Sequence, residues 1–254
     1  MIGLCLAACS AGDGRPREAA RMDAKPVNQL VVAGNACGPA ALLNSFRFGN
    51  DSWRGVYDSV KGDGEREKIR TVIRDIGMRP SRHLPGRARW SRGGVSVADL
   101  QDIANEMAAE AYQPFVSEEV FFRGDGESPR ALLRRVHRRL EGSLARGLPP
   151  LLSVRRYAVS GGSWRPVDAH FVTVVSVPRS LGRDDVSFAV SYIDPWGGRR
   201  CEGTIRIAEQ ALIADKAGVS SCLEAVFPQS SVGRKKVRGN ERSALAVAAA
   251  LGRW

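Results

Sequence analysis

Three side chains in this sequence, a cysteine, a histidine and an aspartate, are of the types that share out the work of nucleophilic catalysis. Cys37 opens the run Cys37-Gly38-Pro39-Ala40, with Ala41-Leu42-Leu43 behind it. This reads as a cysteine at the mouth of a helix. Gly38 frees the turn, and Pro39 is tolerated only in a first helical turn. A thiol placed there lies near unsatisfied N–H groups and the positive end of the helix dipole. Such a setting favours the thiolate, the nucleophilic form. His170, in Asp168-Ala169-His170-Phe171-Val172, is the candidate base. Asp194, in Tyr192-Ile193-Asp194-Pro195-Trp196, is the candidate partner that would orient it.

The elements that must position these residues follow from periodicity. The nucleophile helix is expected from about Gly38 to Phe48, and a second over Ser52–Val60. Ile69, Val72, Ile73 and Ile76 recur at helical spacing within 65–76, and Gly77 stops that helix. A fourth opens near Ser96 and runs to about Glu110, and a short strand is expected at 112–116. A fifth helix covers about 128–146, where Leu132, Val136, Leu140 and Leu144 form an apolar stripe. Pro149-Pro150 then blocks helix. Beyond it, 151–157, 171–177, 186–193, 203–207 and 222–227 are rich in β-branched and aromatic residues and read as strands. One late helix is expected over 208–215. Helices first and strands second predict an α+β fold with an antiparallel sheet.

If the strands carrying His170 and Asp194 form a hairpin, Gly182 is its midpoint. It sits in the turn-like run Arg179-Ser180-Leu181-Gly182-Arg183-Asp184. A register folded about Gly182 sets His170 directly opposite Asp194, on one face, with Cα atoms about 4.5–5.5 Å apart. Cys37 would attack a carbonyl carbon, His170 would move the proton, and Asp194 would hold the imidazole. The developing oxyanion needs donors. One is the backbone N–H of Cys37. The side-chain amide of Gln29 is the preferred second, with Asn35 as the other candidate.

The bulk composition bounds the rest. The chain has 254 residues, 43% of them hydrophobic, and a net charge of +11. This suffices for a sizeable core and argues against global disorder. No basic run is interleaved with aromatics, so nucleic acid is not an expected partner. No His/Cys/Asp/Glu group has metal-ligand spacing, so no metal and no cofactor are expected. His137, among arginines of the fifth helix, reads as a solvated or flanking residue, and His83 as a loop residue. Cys201 and Cys222 could pair, contributing on the order of 3 kcal/mol in an oxidising compartment, or could be two buried thiols.

At the N-terminus, Leu6-Ala7-Ala8-Cys9 resembles the lipobox of a bacterial lipoprotein. Acylation of Cys9 would anchor the chain to a membrane without spanning it. The expected location is the cell envelope or outside the cell, with the cytoplasm as alternative. Residues 1–27 are read as leader and polar linker, 28–228 as the catalytic domain, and 229–254 as a basic tail that frays or docks as a terminal helix.

The islands Cys37-Gly38-Pro39-Ala40, His170-Phe171-Val172-Thr173-Val174 and Asp194-Pro195 resemble the papain-like cysteine peptidases. More narrowly, they are similar to the peptidase domain of bacteriocin-processing transporters and its free-standing bacterial relatives. The resemblance implies a papain-like fold: a helical N-terminal half carrying the cysteine, packed on a C-terminal antiparallel sheet carrying His170 and Asp194. It implies a cysteine peptidase or amide hydrolase acting on a peptide or protein substrate. The family's oxyanion glutamine lies six residues before its cysteine. That position is Val31 here, and Gln29 is two residues further back. The alternative expectation is therefore a lapsed domain of the same kind, binding peptides or an envelope partner without cleaving.

Overall fold

A computed structural model describes residues 15–32, 35–208, 223–239 and 241–254. The lipobox, all but the first residue of the helix expected over 208–215, and Cys222 lie outside the described residues. Among the described residues five α-helices form: α1 (Cys37–Phe48), α2 (Asp51–Ser59), α3 (Glu65–Val72), α4 (Val97–Glu110) and α5 (Pro129–Ala145). Their starts are chemically marked. Asn50, Ser96 and Ser128 each accept a backbone N–H of the first turn of α2, α4 and α5. α3 loosens into a π turn, Ile73–Gly77.

Among the described residues there are also ten strands. β1 (Arg17–Glu18), β2 (Trp90–Ser91) and β3 (Gly94–Val95) are short, and β4 is Ser117–Val120. The long ones are β5 (Leu151–Ser160), β6 (Ser163–Val177), β7 (Ser187–Asp194), β8 (Arg199–Ile207), β9 (Leu223–Val226) and β10 (Ser243–Gly252). The expected strand at 112–116 lies instead at β4.

The papain-like expectation of a helical half packed on an open sheet is corrected here. The main sheet runs β6-β5-β10-β9-β8-β7, and β7 pairs back to β6, closing a six-stranded antiparallel β-barrel. The class is a mixed α/β fold built on that barrel. Two features produce the closure. β6 is 15 residues long, which lets it pair with β5 along one edge and β7 along the other. The alanine-rich end, read as a tail, is β10, which pairs with both β5 and β9. Without β10 the sheet would have two open edges, each a row of unpaired backbone groups. At the other end, β1 adds to β6, so part of the expected linker also belongs to the sheet.

β6 divides two cores. Val172 and Val174, two and four residues along from His170 and on its face of the strand, join Tyr192, Leu245 and the α5 residues Leu132 and Leu140 in one apolar cluster. Phe171, on the opposite face, joins the second cluster, with Leu42 and Phe46 of α1 and Leu100 and Ile103 of α4. α1 is buried along nearly its whole length; only Cys37 and Arg47 are partly exposed. His137 is also corrected. It is buried, its Nε2 lies 2.7 Å from the carbonyl oxygen of Pro178, and its ring meets Phe188 edge-on. Among the described residues no helix is long and apolar enough to cross a membrane.

Candidate active site

Cys37 is the first residue of α1, whose first-turn N–H groups have no intrahelical acceptor. Gly38 is not the flexible joint expected from the sequence. It is buried and helical, and a Cβ on it would lie 2.3 Å from Val95 Cγ1. The glycine is needed because β3 presses against the helix beside the thiol.

His170 lies in the middle of β6, which begins at Ser163, so it does not open a strand as expected. Asp194 is the last residue of β7, as expected. The hairpin register differs from the one centred on Gly182. Thr173 pairs with Ile193 and Val174 with Tyr192, and a bulge follows before Ser176 pairs with Ser191. Continuing that register sets Asp194 across from Val172. His170 is two residues beyond, on the same face. The pair therefore meets diagonally, a Cβ separation that long side chains can bridge. His170 Nε2–H donates to Asp194 Oδ1 at 2.8 Å.

Both groups are buried, Asp194 almost completely. Asp194 Oδ1 also accepts the backbone N–H of Trp196 at 2.9 Å. One oxygen thus initiates the turn after β7 and holds the histidine. Arg199 is the direct ladder partner of Asp194, and its guanidinium stands 3.6 Å from Asp194 Oδ2. Burial works against a charged His170, but Asp194 and the Cys37 sulfur, each by hydrogen bond and by charge, outweigh it, and its pKa is raised to about 9. Since Nε2 serves Asp194, Nδ1 is the nitrogen left to face the sulfur.

The thiol and the imidazole open onto a cleft of about 700 Å³, which Asn35, Val95, Phe171 and Trp196 also line. Gln29 is not on that cleft. It is fully buried in a 3-10 turn, Gln29–Val31. Its backbone N–H donates to the carbonyl of Pro195 at 2.8 Å, and Asn28 Oδ1 accepts from Gly197 N–H at 3.1 Å. The segment before α1 is thereby fastened to the turn after Asp194. Asn35 is exposed, and its carbonyl accepts from the Trp90 indole at 3.1 Å.

Sequence reasoning missed Thr173, Arg199 and Asn28. Thr173 had a readable signal, a polar residue inside the apolar run 171–177. Arg199 had one in the tight Pro-Trp-Gly-Gly turn that returns the chain opposite Asp194. Spacing along the chain also hid one cluster. His83, Asp99 and Asp102 bring ligand-type atoms within 4.8 Å of one another. The buried Asp99 there accepts from the hydroxyls of Ser81 and Ser96, at 2.6 and 2.8 Å, which accounts for its carboxylate. Cys201 is buried.

The site defines a class by geometry: a cysteine at a helix start, a histidine against it, and a buried carboxylate behind the histidine. No family model matches the chain, and no curated protein matches it.

Proposed function

We propose that the chain is a cysteine peptidase or amide hydrolase with Cys37 as nucleophile, His170 as general base and acid, and Asp194 as its orienting partner. The observation that carries this reading is His170 held between two partners, Asp194 on Nε2 and the Cys37 thiol on the other side, at the wall of an open cleft.

The chemistry balances with these groups and water alone. The sulfur of Cys37 attacks the carbonyl carbon, and the C–N bond breaks as His170 gives its proton to the departing amine. A thioester remains. Water then loses a proton to His170 while its oxygen attacks the thioester carbon, and Cys37 leaves as thiolate. An imidazole raised to about 9 holds the needed proton at neutral pH. Asp194 keeps the ring in the tautomer and orientation that both steps use. The motif resemblance to cysteine peptidases supports the same assignment. An envelope location belongs to this proposal as well, on the strength of Leu6-Ala7-Ala8-Cys9 alone.

One observation favours the lapsed, peptide-binding alternative: Gln29 is buried away from the cleft. The rate of Cys37 alkylation by iodoacetamide, measured against pH in the wild type and in His170→Ala, separates the two. A reactive thiol is expected well below pH 7, and lost in the variant. A rate that rises only near the ordinary thiol value of about 8.5, in both proteins alike, would leave a binding domain.

A further inference from the structure

The cleft has a second wall that the catalytic assignment does not use. After β9 the chain turns through Val232-Gly233 into a 3-10 turn, Arg234–Lys236, and all five of these residues face the cleft. Sequence reasoning placed them in a tail. They are instead fixed over the strand that carries His170. Gly233 has φ +64, and a Cβ on it would stand 2.9 Å from Asp168 Cβ and 3.1 Å from Arg156 Cδ. The turn therefore rests directly on β6, two residues before His170. The buried Arg156 guanidinium, reaching across from β5, donates to the carbonyl of Val232 and holds the turn down.

The charge of this wall is not neutralised. Among the described residues Asp168 is the only carboxylate on the cleft lining, and Lys236 holds it at 3.1 Å. Arg234 donates to a neutral group, the carbonyl of Pro228, at 2.8 Å. Among the described residues, neither Arg234 nor Lys235 forms an ion pair. Two cations thus remain uncompensated beside a concave surface with apolar side chains at Val95, Phe171 and Trp196. Low-dielectric walls focus such a field into the cleft.

We propose that this turn selects acidic peptides, binding an Asp or Glu side chain of a substrate lying in the cleft. The inference rests on the peptidase reading of Cys37 and adds its substrate class. Position gives the subsite. A strand advances about 3.3 Å per residue, so a turn resting on Asp168 lies about two residues from His170. The recognised acid accordingly falls within about two residues of the scissile bond.

The test uses the Cys37→Ala protein and three fluorescein-labelled decapeptides of one apolar frame, carrying Glu, Gln or Lys at the two central variable positions. Anisotropy should show the Glu peptide bound roughly tenfold more tightly than the Gln peptide, the sum of modest exposed charge contacts. The Lys peptide should bind most weakly, and 0.5 M salt, a concentration that screens exposed charges strongly, should remove most of the difference. Lys235→Glu, at an exposed site, should abolish the preference, and Lys235→Gln should reduce it. Equal binding of the Glu and Gln peptides, an unchanged preference in Lys235→Glu, or tighter binding of a single-stranded oligonucleotide of the same charge would overturn the proposal. The alkylation experiment is independent of this one. An inert thiol with an intact acidic preference refutes the peptidase reading alone. An activated thiol without the preference refutes the substrate class alone.

Discussion

The hydroxyl of Thr173 donates to the carbonyl oxygen of Ala41 at 2.8 Å, and both residues are wholly buried. Ala41 lies one helical turn below Cys37, and Thr173 lies three residues beyond His170. This hydrogen bond therefore ties the helix that carries Cys37 to the strand that carries His170. Thr173→Val keeps the shape and removes the donor. It should lower stability by about 1 kcal/mol and slow Cys37 alkylation at neutral pH by roughly tenfold, because small misplacements of reacting groups are costly. Thr173→Ser keeps the hydroxyl and should recover most of the rate. Loss of stability with an unchanged alkylation rate would show that the bond does not align the site.

His170 fixes the expected pH dependence. Its folded pKa, about 9, lies above the unfolded value of about 6.5. The stabilisation it supplies is therefore complete below about pH 6.5 and lost as pH rises through 9. In the proposed mechanism the same proton would serve the leaving amine, so amide hydrolysis should show an alkaline limb near pH 9. Asp194→Asn removes the partner charge and should move that limb to lower pH. The profile of kcat/KM between pH 5 and 10 in both proteins measures it; a limb that stays in place would detach it from the His170–Asp194 pair.

How much of this was legible in the sequence depended on whether the signal was local. α1 and α5 announced themselves by apolar spacing and by residues tolerated only at helix starts. The pairing partners of strands did not, because they are set by contacts far apart in the chain. β10 is composed largely of alanine, a weak strand former in isolation. Its conformation follows from three neighbours, β5, β4 and β9, all separate from it in sequence. The register of His170 against Asp194 was missed by two residues because the hairpin is centred past Gly182, near Arg183; the bulge between Val174 and Ser176 moves the ladder by only one residue, towards the expected register. An even error preserves the face, so His170 and Asp194 still meet despite the wrong register. Gly38 was recognised as necessary, but for a local reason, when a tertiary one, the approach of Val95, operates.

Of the two candidates for the second oxyanion donor, Asn35 stands on the cleft and Gln29 does not. Asn35 lines the cleft with Cys37, whereas Gln29 is buried and pinned to Pro195. Asn35→Ala should therefore lower kcat by about 10²-fold, the effect of removing one oxyanion donor, with little change in melting temperature. Gln29→Ala should act first on stability, by about 1–3 kcal/mol for a buried polar group removed from its setting. Steady-state kinetics and thermal melts on the two variants decide between them. The reverse pattern would restore Gln29 to the oxyanion site.

The contact between Gly38 and Val95 gives the sharpest steric prediction. In an ordinary helix, glycine to alanine stabilises by about 1 kcal/mol. Here the added methyl would stand 2.3 Å from Val95 Cγ1, far inside van der Waals contact. Either β3 or the first turn of α1 must move, and the first turn carries Cys37. Overpacking of this kind costs about 1–3 kcal/mol, so the net effect of Gly38→Ala should be destabilisation together with slower alkylation of Cys37. Val95→Ala removes the opposing methyl groups and opens space at the same point. The double variant Gly38→Ala, Val95→Ala should then regain both stability and thiol reactivity relative to Gly38→Ala alone. That makes the two substitutions strongly non-additive. Additive losses in denaturant midpoints would show that the glycine serves the helix start itself, independently of the strand packed against it.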